Sequence, residues 1–223
     1  MQKNLIKLPK FNNQNLQRQA FIHRSYLNET KEKISSNERL EFLGDSILSF
    51  VVSKYLYDKY PNFEEGILTS LRAQLVNTKS LADIARELNF GKLLTISKGE
   101  EESKGRENQS MLANCFEAFI GALFLDQGIK PVSDFLNKVL LKKADLIVTS
   151  RTFKDPKSLL QEKLQGRRLS SPIYKVLLEE GPAHARTFTV GVYAGEKLLS
   201  RGKGHSKQEA EINSAKNALG KLI

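Results

Sequence analysis

Residues Asn37–Phe50 read NERLEFLGDSILSF. The stretch sets three carboxylates, Glu38, Glu41 and Asp45, into an otherwise apolar run. On a helix turning ~100° per residue, Glu41 lies about 60° to one side of Glu38 and Asp45 about 20° to the same side. The acids form one narrow stripe. Leu40, Leu43, Ile47, Leu48 and Val51 take the opposite side as a core face. Like charges at this spacing repel by roughly a few tenths of a kcal/mol per pair, and the one base among them, Arg39, points elsewhere. A cation on the stripe would relieve that repulsion, and clustered carboxylate oxygens suit Mg²⁺. Asn37 is placed as N-cap. Pro61 ends the helix after about Lys59.

NERLEFLGDSIL closely resembles the signature of the ribonuclease III family, in which an acidic helix of this form carries metal-dependent cleavage of double-stranded RNA. The resemblance extends outward on both sides. Upstream, a helix ends near FIHRSY, similar to the family's HRSY stretch, with His23 read as a buried structural hydrogen bonder. Downstream, EGILTSLRAQLV matches the family's EG-x-L-[ST]-x-x-R-x-x-LV pattern. Asn62 is placed to cap that helix, and Glu64 and Glu65 suit its positive end; the resemblance puts Glu65 near the metal site. A further helix over Ser80–Leu88 stops at Gly91. The charged loop SKGEEESKGRENQ is similar to a family segment lying against the RNA minor groove, which makes Arg106 an RNA contact. The family's paired Gly is here Lys104-Gly105.

Ser110–Gln127, SMLANCFEAFIGALFLDQ, is a second apolar helix in which Asn114 and Glu117 share a face three residues apart. A carboxylate and an amide amid such apolar neighbours are costly unless paired or metal-bound. The segment resembles the family's LAD-x-FEA-x-IGA pattern. It departs at Asn114, where bacterial members usually carry Asp. Asn keeps an acceptor oxygen and loses a charge.

The remaining composition narrows the alternatives. No apolar run reaches the ~18 residues of a membrane span, and the first residues lack the apolar stretch of a signal peptide. A single cysteine, Cys115, excludes an internal disulfide and fits the cytoplasm; its apolar setting reads as packing. Zinc is disfavoured without a His/Cys cluster, and a nucleotide cofactor without a GxxxxGK loop. The net charge is +10, and residues 151–223 carry 14 Lys and Arg against 7 Asp and Glu. A basic end points to a nucleic-acid partner.

That basic end forms its own unit. Asp155-Pro156 opens a helix, Tyr174–Leu178, Thr187–Tyr193 and Lys197–Arg201 alternate as strands, and Ser206 with Glu209 forms a capping box for a last helix. This α-β-β-β-α order resembles the double-stranded-RNA-binding domain, and GKGHSKQEAEINSAKNAL its C-terminal signature. The expected architecture is multidomain: an all-α endonuclease domain over 1–148, a linker over 149–154 and a small α+β domain over 155–223. A helix from Lys130 to about Val148 closes the first domain.

The resemblance implies an Mg²⁺-dependent endoribonuclease, with Mn²⁺ as a substitute, cutting double-stranded RNA to 5′-phosphate and 3′-hydroxyl ends with a short 3′ overhang. It implies Glu41, Asp45, Asn114 and Glu117 at the metal, with Asp45 and Glu117 catalytic and Glu38 and Glu65 behind them. It implies RNA contacts from Gln161, Gln165, Pro182, His184, Ser206 and Lys207. Gln161 and Gln165 read equally well as plain helix surface on pattern alone. His205 reads as a loop residue, and Gln208 stands where the family often has a second Lys. Phe42 lies outside the core sector and suggests a partner surface, and the family is a homodimer. Ribosomal RNA precursors are the implied substrates. The alternative reading is a non-cleaving double-stranded-RNA binder, which the acid set argues against.

Overall fold

A computed structural model describes residues 7–150, 156–182 and 186–222. The chain divides into two units, 1–153 and 154–223. The expected linker mostly lies outside the described residues, as does His184.

The first unit is helical: α1 (Gln14–Ala20), α2 (Glu38–Lys59), α3 (Glu65–Leu75), α4 (Thr78–Glu87), α5 (Phe90–Leu93), α6 (Lys98–Glu102), α7 (Gln109–Gln127), α8 (Ile129–Leu136) and α9 (Lys143–Ser150). At its centre is α7. Between Leu112 and Leu123 every residue is buried except Asn114 and Glu117. A helix apolar nearly all round belongs inside a bundle, and here Phe116 and Phe119 join Phe21, Phe90 and Phe135 in one aromatic core.

The crossing of α2 over α7 positions everything that follows. A Cβ added at Gly44 would lie 1.8 Å from the Glu117 carbonyl oxygen, and one at Gly121 would lie 2.2 Å from the Leu40 carbonyl oxygen. The two backbones therefore touch, which only paired glycines permit.

Several local expectations are corrected. The first helix ends at Ala20, not near Tyr26. Ile22 instead bridges Thr95, and a 3₁₀ turn covers Arg24–Asn28. The reason is that the backbone groups of residues 21–23 bond elsewhere: His23 N donates to the Thr95 carbonyl, and the Phe21 and Ile22 carbonyls accept from Thr95 N and Asn37 N. Asn37 makes no side-chain cap; it is buried and donates its amide to the Ala20 carbonyl at 3.2 Å. The fourth helix starts at Thr78 and is stopped by left-handed Asn89, with Gly91 inside α5. The helix expected over residues 130–148 is interrupted by a π turn at Asn137–Leu141. Finally, the buried positions of α2 are Leu40, Gly44, Leu48, Val51, Val52 and Leu56, while Leu43 and Ile47 are half-exposed. The core face is rotated toward Glu41, so the acid stripe borders the core instead of opposing it.

The second unit comprises α10 (Pro156–Gly166), β1 (Pro172–Glu180), β2 (Thr187–Ala194), β3 (Lys197–Gly204) and α11 (Lys207–Lys221). The sheet is antiparallel in the order β1-β2-β3, with a bulge between Val176 and Leu178. Leu160 and Leu164 of α10 and Ala215 and Ala218 of α11 pack on Val192. Gly202 lets α11 lie directly on β3, because a Cβ there would meet Ser214 N at 2.1 Å. Asn213 and Asn217 then donate to the Lys203 and Arg201 carbonyls at 2.8 Å each.

Candidate active site

Glu41 and Asp45 stand three residues before and one after Gly44, and Glu117 stands four before Gly121. The glycine contact thus sets the three carboxyls on the two sides of one crossing. Their electrostatics register the proximity. Burial, then Asp45, then Glu41, push the Glu117 carboxyl up from 4.5 to about 7. Burial and Glu38 raise Glu41, while a hydrogen bond from the Asn114 side chain opposes the rise. Glu41 and Asn114 line a cleft of about 800 Å³ together with Glu38, Arg24, Ser110 and Glu100.

Among the described residues no three His, Cys, Asp or Glu side chains already form a cluster tight enough to hold an ion. Glu41, Asp45 and Glu117 are electrostatic neighbours, not a closed ligand shell. Their chemistry nevertheless fits a hard divalent cation: three carboxylates and an amide oxygen, with two of the carboxyls raised by burial and mutual repulsion.

The raised Glu117 carboxyl makes a testable link to stability. The folded chain binds this proton more tightly than the unfolded chain, so stability is greatest below about 4.5, falls as pH rises toward about 7, and then levels. After allowance for solvent screening the loss is about 1–2 kcal/mol. Melting temperature in EDTA should decline across that window, and the Glu117→Gln protein should lack this part of the decline.

The other expected site residues divide. Glu38, on the exposed rim, accepts from Ser36 Oγ at 2.9 Å and pairs with Arg24 at 3.6 Å. Glu65 is not brought to this cleft within the protomer: its carboxylate accepts from Thr69 Oγ1 at 2.9 Å in a separate groove lined by Phe50, Tyr57 and Arg72. His23 is structural and half-buried; its Nδ1 accepts from Ser25 N at 3.3 Å.

Arg106, expected as an RNA contact, is held as a clamp within the protomer. Its Nε donates to both Glu101 oxygens, at 2.8 and 2.6 Å, and its Nη1 to the Gly91 and Leu94 carbonyls, at 2.9 and 2.6 Å. It closes the end of α5 onto the loop before α7. Arg106→Ala should therefore cost about 1–3 kcal/mol of stability and leave RNA affinity within about twofold, as a filter-binding titration beside a melting curve would record.

In the second unit, burial of Leu160 and Leu164 turns Gln161 and Gln165 outward. The register pairs Glu180 with Thr187 and Phe188 with Gly204, so the β1–β2 loop bearing exposed Pro182 and the start of α11 lie at one end of the sheet. Lys207 Nζ sits 5.7 Å from the Phe188 ring there. Ser206 caps α11 by accepting from Glu209 N at 3.1 Å, and Glu209 accepts from His205 N at 2.7 Å. An exposed helix start with Lys207 in its first turn favours phosphate.

The sequence did not single out Gly44 or Gly121. The glycines carried a signal, since Gly inside a helix costs about 0.5–1 kcal/mol relative to Ala and needs a packing reason.

Residues 13–144 match a family model described as ribonuclease-III-like, and residues 156–222 one described as double-stranded RNA binding motif. Ribonuclease 3 of Borreliella burgdorferi is 44% identical over 94% of this chain and 85% of its own. Ribonuclease 3 of Bacillus licheniformis is 47% identical over 95% of this chain and 85% of its own. Among solved structures, a nuclease domain of ribonuclease III from Campylobacter jejuni aligns with a TM-score of 0.56 at 40% identity, over 60% of this chain and 90% of that one. Dicer from Pichia stipitis aligns with a TM-score of 0.50 at 31% identity, over 97% and 98%. With acids at the helix crossing and a double-stranded RNA binding motif later in the sequence, this chain belongs to the ribonuclease III family, as a double-strand-specific endoribonuclease.

Proposed function

We propose that this chain is an Mg²⁺-dependent homodimer that hydrolyses both strands of duplex RNA, leaving 5′-phosphate and 3′-hydroxyl ends with a short 3′ overhang. The observation that carries the metal dependence is the carboxyl of Glu117, held near α2 by the glycine crossing and raised to about 7 by burial and by Asp45 and Glu41. A cation beside such a group favours its ionised form. Asp45, Glu117 and Glu41 would hold the ion, with the Asn114 amide orienting Glu41 and Glu38 at the rim. When bound, Mg²⁺ supplies an activated water and neutralises charge on the leaving oxygen. Mn²⁺, with similar oxygen preference, would serve in its place.

Dimerisation would use the outward side of α2, where Phe42, Phe50 and Tyr57 are 79%, 57% and 72% exposed. Patches of this kind mark partner surfaces. Glu65, in the groove beside Phe50 and Tyr57, would then lie at the interface. A mass in solution twice the chain's 25.2 kDa is the expected result; a monomer at micromolar concentration argues against it. Gln161, Gln165, Pro182, His184, Ser206 and Lys207 would grip the duplex by its shape. Structured transcripts, ribosomal RNA precursors among them, are the substrates we assign. The location we assign is the cytoplasm, where a lone buried Cys115 needs no partner. No helix of the described residues is long and apolar enough to cross a membrane.

Asn114, neutral at a site built of acids, favours one second reading: a chain that binds duplex RNA and does not cut. Long duplex RNA incubated with the protein in Mg²⁺ or in EDTA separates the two. Cleavage confined to Mg²⁺ supports the nuclease, and shifted but intact RNA in both supports the binder.

A further inference from the structure

We propose that Arg24 is a phosphate-binding residue of the cleft, its guanidinium taking the non-bridging oxygens of the scissile strand beside Glu38 and Glu41. The proposal rests on the nuclease reading above. Of the side chains lining the cleft, Arg24 is the permanent cation, set among Glu38, Glu41 and Glu100. A polyanionic strand entering there meets carboxylates. It gains from a fixed positive group in addition to any ion the acids gather.

The backbone beneath Arg24 is held on both sides. His23 N donates to the Thr95 carbonyl at 2.9 Å, and the preceding Ile22 carbonyl accepts from Asn37 N, at the start of α2, at 2.8 Å. Behind it, His23 Nδ1 and Ser25 Oγ lie 2.9 Å apart, and Ser25 Oγ accepts from Ser97 N at 3.0 Å. Glu29, just past the 3₁₀ turn, accepts from Lys98 N at 2.9 Å. The segment is thus tied to α2 and to the start of α6.

The side chain itself is loosely engaged. It is 71% exposed, and its Nη1 lies 3.6 Å from Glu38 Oε1. That is an ion pair without a short hydrogen bond, so the fork is able to leave Glu38 for a phosphate. Guanidinium geometry matches two phosphate oxygens at once, which an ammonium does not. The family-like HRSY stretch then has a division of labour: His23 and Ser25 fix the turn, and Arg24 is displayed from it.

The test compares the full chain with its Arg24→Ala and Arg24→Lys forms on an RNA duplex in Mg²⁺. For Arg24→Ala, kcat/KM should fall about 10- to 100-fold, the size expected of a charged hydrogen bond. Arg24→Lys should recover part of the loss. The salt dependence of kcat/KM should flatten by about one counterion in the Ala form. Melting temperatures should agree across all three, because an exposed pair contributes little to stability. Two outcomes overturn the proposal alone: parental kcat/KM in the Ala form, or equal losses in both forms with lowered melting temperatures, which would make Arg24 structural. If the parental chain leaves the duplex intact in Mg²⁺, the nuclease reading falls and takes this one with it.

Discussion

Glu117→Gln should stop duplex cleavage in Mg²⁺ while leaving duplex binding within about threefold of the parental chain. The expected loss is at least ~10³-fold, equivalent to ~4 kcal/mol of barrier. Gln retains the shape and an acceptor oxygen but not the charge that a divalent cation requires. Binding should survive because the proposed RNA contacts Gln161, Gln165, Pro182 and Lys207 belong to the second unit, whereas Glu117 belongs to the first. The same substitution should raise melting temperature in EDTA at neutral pH. There the parental chain carries a half-ionised carboxyl crowded by Asp45 and Glu41, and Gln removes that penalty. A more stable, RNA-binding, inactive protein is a combination that simple misfolding does not produce. Cleavage at the parental rate would remove Glu117 from the chemistry.

Much of this arrangement was legible in the sequence, and the reasons differ from part to part. The acid stripe and the long α7 were readable because one spacing rule decides them. Carboxylates at Glu38, Glu41 and Asp45 amid leucines admit few interpretations. The α-β-β-β-α order of the second unit was readable because Pro156, the alternating strands and the Ser206–Glu209 box each mark a boundary by local chemistry. What stayed hidden depends on partners distant in the chain. Asn37 looks like a cap until the Ala20 carbonyl takes its amide. Arg106 looks free until Glu101, Gly91 and Leu94 occupy it. The rotation of α2's core face toward Glu41 follows from burial of Gly44 and Val52 against other helices, and a wheel drawn for one helix contains no other. Glu65 shows the limit of a motif: EGILTSLRAQLV foretells its helix, whereas the groove it faces within one protomer is not that of the acids.

Gly44→Ala should be severely damaging for a single added methyl. The added Cβ would lie 1.8 Å from the Glu117 carbonyl oxygen and 2.5 Å from its carbon. Both are backbone atoms of a helix buried almost all round, so neither is able to swing aside as a side-chain tip would. Relief requires α2 and α7 to separate by more than an ångström, which opens contacts along Leu40, Leu48, Phe116 and Ile120, all buried. A cost of about 3 kcal/mol or more is expected, at or beyond the usual upper end for overpacking. Molecules that still fold should also cleave poorly, because the displaced atom belongs to Glu117 itself, and a shift of about 1 Å in a catalytic group is able to cost ~10²-fold. Gly66→Ala is the matched control. It sits in the first turn of α3 with nothing within 4 Å of the new Cβ, so it should be neutral or stabilising by about 0.5–1 kcal/mol. Thermal melting and single-turnover cleavage on the two variants decide the matter. If Gly44→Ala melts and cuts like Gly66→Ala, the close crossing of α2 and α7 is not what gathers the carboxylates.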